Sequence, residues 1–316
     1  MATKTWISTS STSFNTNANW SDGAAPANND TIIFNHLGTA NCTTNLGSTL
    51  TGITAYIDMS YTGQIGSISS SGVPTYLTFD GGTIYIGRST TQGTGTGPTL
   101  CMIGNTGTTA MTINVYDSSS TGASTYFPPI LIDGGTNISL NHYGGNVGLC
   151  MFNASGSAEA ATFATINVAV NGEAGVPAQL TIGSGVLVTT CTSNGGTIYD
   201  RSDVGVTTML INGQATVIVE GTASHSTIEA ADGATINYNG NGTITTFNLR
   251  GGTLDLSGDT RAKTITTLNA YDGSTLNVDN GEAGSVTFTN PINYPDGMDG
   301  VTIITPPGVK GTLTNI

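Results

Sequence analysis

The chain has little charge, and almost none of it is basic. Charged residues are 9% of 316, with 7 Lys and Arg against 20 Asp and Glu, for a formal net charge of −13. No Lys or Arg occurs between Arg88 and Arg201. Nucleic-acid binding needs a basic stripe that displaces counterions from phosphates, and docking on an anionic membrane needs the same sign, so neither partner is expected. The helix formers Glu, Lys and Arg are scarce and glycine interrupts every long window, so no helical period emerges. No apolar run approaches the length of a membrane span, and none follows Lys4. A secretory signal is therefore not expected at the N-terminus, and synthesis in the cytoplasm with release by assembly or lysis is.

Residues that carry chemistry are also few. The four cysteines, Cys42, Cys101, Cys150 and Cys191, are too far apart for a close-spaced metal-ligand pair. Their apolar and Thr neighbours predict buried free thiols, with two disulfides left open. The three histidines, His36, His142 and His225, have no acid at motif spacing and are expected on the surface or in turns. Carboxylates are scattered singly, as Asp58, Asp80, Asp117, Asp133, Glu159 and Glu173, whereas glycoside hydrolysis needs two grouped together. Arg201 between Asp200 and Asp203, and Arg261-Ala262-Lys263, come nearest to a polysaccharide-cleaving cluster. The first reads as a solvated charged turn, and the second has Ala between its basic residues and no His nearby. No catalytic residue, cofactor or metal is predicted, and phosphate loops and nucleophile elbows are absent.

What the chain does have is glycine, 44 residues of it, and a phrase that keeps returning. It reads Asp80-Gly81-Gly82-Thr83-Ile84-Tyr85-Ile86, then Asp133-Gly134-Gly135-Thr136-Asn137-Ile138-Ser139-Leu140, then Gly195-Gly196-Thr197-Ile198-Tyr199. It comes again as Asp232-Gly233-Ala234-Thr235-Ile236-Asn237-Tyr238, Gly251-Gly252-Thr253-Leu254-Asp255-Leu256 and Asp272-Gly273-Ser274-Thr275-Leu276-Asn277-Val278. A tight turn feeding a two-residue alternation starts a strand. The recurrence at roughly 20 residues is that of a β-solenoid coil. The fold class predicted is all-β, a single-stranded right-handed parallel β-helix. Its inward ladder is expected to include Ile84, Ile86, Ile236, Leu254, Leu256, Leu276 and Val278, with Thr253 and Asp255 pointing out.

Three regions follow: 1–35 as an N-terminal cap, 36–290 as about a dozen coils, and 291–316, with its four prolines, as a C-terminal cap or docking tail. An open solenoid end exposes apolar residues and a strand edge, which must be covered. Trp6, Trp20, Pro26 and Phe34 are the expected structural cap. The Gly-rich stretch 89–98 and the segment 117–129 read as excursions. The phrase Asn-Gly-Glu-Ala-Gly, at 171–175 and again at 280–284, reads as a second coil echo. Thr-x-Thr phrases (Thr49-Leu50-Thr51, Thr94-Gly95-Thr96, Thr243-Ile244-Thr245) raise an ice-binding face, but they do not recur at coil spacing.

The opening Trp6…Asn19-Trp20-Ser21-x-Gly23-x-x-Pro26-x-x-x-Asp30-x-Ile32-x-Phe34, with the later Gly-Gly-Thr-Leu-Asp-Leu style, resembles autotransporter-type passenger repeats. It is also similar to β-helical surface proteins of bacteria and to proteins encoded beside phage capsid genes. That resemblance implies a parallel β-helix and a place on a particle or cell surface. The function expected is a non-enzymatic structural or adhesive role, as a phage virion component (capsid decoration or fibre/spike). A bacterial cell-surface adhesin and a polysaccharide-binding or -degrading β-helix are the alternatives. Capsid or tail proteins, surface glycans and further copies of the chain in a homotrimer are the expected partners. The location is the virion surface, or alternatively the extracellular face of a cell.

Overall fold

The computed structural model describes residues 1–46, 50–70, 72–87, 97–117, 128–151, 160–168, 177–279, 286–297 and 299–305. Most of 89–98 and 117–129, both Asn-Gly-Glu-Ala-Gly phrases, and Pro306-Pro307 lie outside them. The chain packs as two compact units, Met1–Leu180 and Thr181–Ile316. Each is built as a parallel β-helix, and among the described residues the one helical turn is the 3-10 turn Asn17–Asn19.

In the second unit two kinds of strand alternate along the chain. One face stacks Val186–Ser193, Gly205–Ile211, His225–Ala231, Thr243–Arg250, Lys263–Ala270 and Val286–Phe288 in parallel. The other stacks Thr197–Asp200, Thr216–Val219, Thr235–Tyr238, Thr253–Asp255, Thr275–Asn277 and Thr302–Ile304. The pleat sends alternate residues to opposite sides, and parallel register places like over like. Ile198, Val217, Ile236, Leu254 and Leu276 form one inward column, all buried. Leu256 and Val278 are buried in the next turn of the same coils. Thr253 and Asp255 stay half-exposed, so the period-2 reading of this phrase holds.

The first unit stacks Thr3–Thr5, Thr31–Phe34, Leu50–Ile57, Leu77–Ile86, Met111–Val115, Ile138–His142 and Ala161–Val168. Ile32, Ala55, Ile84, Ile113, Leu140 and Ile166 share one inward column; Phe34, Ile57, Ile86, Val115, His142 and Val168 share another. Gly82 must be glycine here: its φ is +112°, and a Cβ would run into the carbonyl of Ile53 on the preceding coil.

Coil length differs between the units. From Thr197 to Thr216 to Thr235 each coil takes 19 residues (216 − 197, 235 − 216). From Thr54 to Thr83 to Thr112 each takes 29 (83 − 54, 112 − 83). The period of about 20 expected throughout 36–290 therefore applies to the second unit and is too short for the first. The strands keep their places; the extra residues go into the corners, as in the small antiparallel hairpin of Ser67–Ile68 with Pro74–Thr75. The Gly134-Gly135 copy of the phrase is likewise out of step. Its Thr136 is exposed before the strand begins at Ile138, and Ser139 takes the outward position that Thr83 and Thr112 occupy.

At the start of the chain, five aromatic rings form one buried cluster. Trp6 and Trp20 meet edge to face at 5.3 Å, Phe34 lies 5.8 Å from both, and Phe14 and Tyr61 flank them. Each indole N–H donates to a carbonyl, Trp6 to Ala40 (3.1 Å) and Trp20 to Phe14 (2.8 Å), so neither ring leaves a polar group stranded. Residues 19–21 run antiparallel to Thr5–Ile7, just past the strand Thr3–Thr5. Thr5 donates to Ser21 Oγ and accepts from the Ser21 N–H, while the Ile7 N–H donates to Asn19. The backbone groups of Thr5 and the Ile7 N–H are thus occupied. Lys4, itself buried, reaches Asp22 at 2.6 Å and ties the same turn down. Pro26 is half-buried.

Two expectations follow from this packing. Trp6→Ala or Trp20→Ala should cost about 3–5 kcal/mol, the figure for truncating a packed large aromatic, measured by urea unfolding of the full chain; wild-type stability in both would dissociate the cluster from folding. Leu254→Asp should leave the chain insoluble, because it buries an unpaired carboxylate. Asp255→Asn should be nearly silent, since Oδ1 can still accept from the N–H and hydroxyl of Ser257; soluble expression and melting of the two variants check the ranking.

Candidate functional site

The outward faces are ordered as strictly as the core. In the first unit Thr3, Thr31, Thr54, Thr83, Thr112, Ser139 and Thr165 stand one above another, a hydroxyl column seven coils long. Two residues on, the column runs Tyr56, Tyr85, Asn114, Asn141, Asn167. The two tyrosine rings stack at 4.9 Å and 8°. The amides chain together, Asn141 donating to Asn114 and Asn167 to Asn141, both at 2.9 Å. A second stack, Tyr116 on Tyr143 at 5.0 Å, lies beyond the strand ends. These two columns carry no charged side chain.

The second unit repeats the device on two faces. Thr197, Thr216, Thr235, Thr253, Thr275 and Thr302 form one column; Thr190, Thr208, Thr227, Thr246 and Thr267 form another. Beside the latter, Asn293 donates to Asn269 (3.0 Å) and Asn269 to Asn248 (2.8 Å). In-register stacking of identical amides and rings satisfies each from its neighbour, as in other parallel stacks. The signal for these columns was the recurring phrase itself: Thr83, Thr197, Thr235, Thr253 and Thr275 are its threonines. A search for Thr-x-Thr missed them because each coil supplies one Thr and then a different outward residue. Threonine recurs at coil spacing mostly in single columns, but Thr243-Ile244-Thr245 lies in register on Thr264-Ile265-Thr266, and Thr264 on Thr287, so a short paired run exists where the sequence reading expected none.

The candidate reactive groups are dispersed. Arg261 pairs with Asp259 at 2.8 Å in its own turn, and buried Lys263 donates to the carbonyls of Asp259 and Arg261. Arg201 pairs with Glu220 at 2.6 Å. Asp80 accepts from the Thr109 N–H and Asp58 from the Ser60 N–H, as turn-stabilising carboxylates. Among the described residues no group of three or more His, Cys, Asp or Glu could hold a metal ion.

Two of the three histidines correct the sequence reading. His36 is exposed, as expected, but His142 and His225 are core residues. His142 occupies an inward slot between Val115 and Val168. Its Nε2 lies 3.1 and 3.0 Å from the carbonyls of Gly144 and Gly145, so Nε2 carries the proton and donates to both. His225 faces Asp200, and both are 1% exposed, so Asp200 is no solvated turn residue either. Neither histidine reaches a surface from which a substrate could be engaged. Cys42, Cys101 and Cys191 are buried free thiols, and Cys150 is buried too. Burial raises the thiols of Cys42 and Cys101 and pushes Cys191 up to about 12, with the Asp200 charge adding to it, so these thiols stay neutral and unreactive.

Burial pushes the His142 pKa down to about 4, against the two glycine carbonyls that favour the charged form. The folded-state value lies below the unfolded one, about 6.5. The stabilisation is therefore full above pH 6.5 and is lost as pH falls towards 4, by on the order of 3 kcal/mol. Urea unfolding between pH 7 and pH 4 should show this loss in wild type and not in His142→Leu; equal slopes would mean that His142 is solvated when folded.

The chain matches no protein-family model, no curated protein and no solved structure.

Proposed function

We propose that this protein works by binding and assembly rather than by catalysis, as a structural or adhesive β-helical component of a phage particle. The observation that carries the reading is the set of register-matched outward columns: threonine hydroxyls, stacked tyrosines and asparagine amides, repeated coil after coil and nearly free of charge. Such a surface offers many modest hydrogen-bonding contacts at a fixed repeat, which suits attachment to capsid or tail proteins and to surface glycans. Most of the ionisable chemistry is spent on turns and ion pairs, and the buried histidine–carboxylate pair is closed to solvent. Cyclic symmetry is the usual way to multiply weak contacts, and a homotrimer fits three-fold positions on particles.

Gradient-purified particles analysed by protein mass spectrometry test this directly. The chain should be present in fixed proportion to the capsid protein. Recovery in a cell-envelope fraction alone would favour a bacterial adhesin instead. Turnover of a polysaccharide panel, abolished by one Asp or Arg substitution, would overturn the non-enzymatic reading. Light scattering should give three times the chain mass, and a strict monomer at high concentration would remove the trimer.

A further inference from the structure

We propose that Asp200 and His225 hold one shared proton inside the second unit, and that this unit is destabilised when the proton is lost. The pair is formed by the end of the strand Thr197–Asp200 and the start of His225–Ala231. His225 Nδ1 lies 2.9 Å from the carbonyl oxygen of Val206. A carbonyl only accepts, so Nδ1 carries the hydrogen, and a neutral ring then leaves Nε2 as a bare lone pair. That atom faces Asp200 Oδ2 at 3.7 Å, and neither has another hydrogen-bond partner among the described residues. With the carboxylate ionised and the imidazole neutral, two lone pairs would oppose each other in a site closed to water. A buried charge would also stand uncompensated. One proton resolves both problems, whether it sits on Nε2 or on Oδ2.

The surroundings hold the two groups in place without replacing that proton. Asp200 Oδ1 accepts from the Ser202 N–H at 3.0 Å, and the Asp200 carbonyl accepts from the N–H groups of Glu220 and Gly221. Ser202 Oγ donates to the Val186 carbonyl and accepts from Gly205, which fixes the turn. Tyr238 meets the His225 ring edge to face at 6.0 Å, but its hydroxyl donates to the Gly242 carbonyl. Cys191 is a neutral buried thiol in the same interior. Asp203 adds negative charge near Asp200 while its own Oδ1 takes the N–H and hydroxyl of Thr222. Arg201 and Glu220 pair with each other beside the turn. Burial raises the Asp200 carboxyl above its usual range, Asp203 and the Ser202 bond modify this, and His225 pulls it partly back.

The sign of the pH dependence follows. In the unfolded chain an aspartate and a histidine together keep one proton between about pH 3.9 and 6.5 and none above that. The folded pair keeps it beyond 6.5. Over that higher range the folded state binds more protons, so stability falls as pH rises.

Two measurements on the full chain decide the matter. The first is NMR of protein labelled with 15N-histidine and 13C-aspartate, with the His225 signals assigned by their loss in His225→Gln. At pH 8 either Nε2 or the Asp200 carboxyl should carry the proton; a bare Nε2 facing an ionised carboxylate would overturn the proposal. The second compares melting from pH 7 to pH 10 in wild type and Asp200→Asn, whose amide donates to Nε2 at every pH. Wild type should lose about 3 °C or more relative to the variant, and parallel profiles would overturn the proposal. Should Asp200→Asn fail to fold, the NMR result on wild type stands alone as the test.

Discussion

Parallel register is the constraint on which both units depend. Each strand bonds only to the strands of the coils before and after it, and the pleat assigns its residues alternately to the inside and the outside. A slip of one residue would turn Ile198, Val217, Ile236, Leu254 and Leu276 outward and bury the adjoining threonines. Every coil is therefore held by the pattern of its neighbours. The same constraint makes the surface regular without any separate cause: where the inside must stack apolar on apolar, the outside stacks hydroxyl on hydroxyl and amide on amide.

The first coils combine ring packing inside with backbone pairing at the strand edge. Rings fill the interior at the first coils, and the short antiparallel run around Ser21 takes up the backbone groups of Thr5. Gly38 belongs to the same arrangement, since a Cβ there would collide with the ring and backbone of Trp6.

Much of this was legible in the residues. Leu254 and Leu256 alternate with Thr253 and Asp255 as the strand period demands, and the phrase that carries them marks the hydroxyl column as well. What the sequence hid were positions where the rule is broken on purpose. His142 stands in a column of Phe34, Ile57, Ile86 and valines, where a polar residue reads as the end of a strand. Asp200 and His225 are 25 residues apart (225 − 200), and their meeting depends on a corner whose geometry no local pattern encodes. The first unit's coil length was hidden for a related reason: residues added at corners leave the strands in register, so periodicity counted along the chain measures corners as much as coils.

The distance between stacked partners has a kinetic meaning. From Thr197 to Thr275 each coil is bonded to a successor 18 to 22 residues ahead (253 − 235, 275 − 253) in a chain of 316. Loop closure thus costs nearly the same at every step and grows only slowly even where coils lengthen to 29. Within a unit, growth can proceed one coil at a time on a template already formed, so folding speed is set by the coil and not by the length of the chain. A newly made chain can therefore order its early coils before the late ones exist, with the most recent strand always the exposed edge.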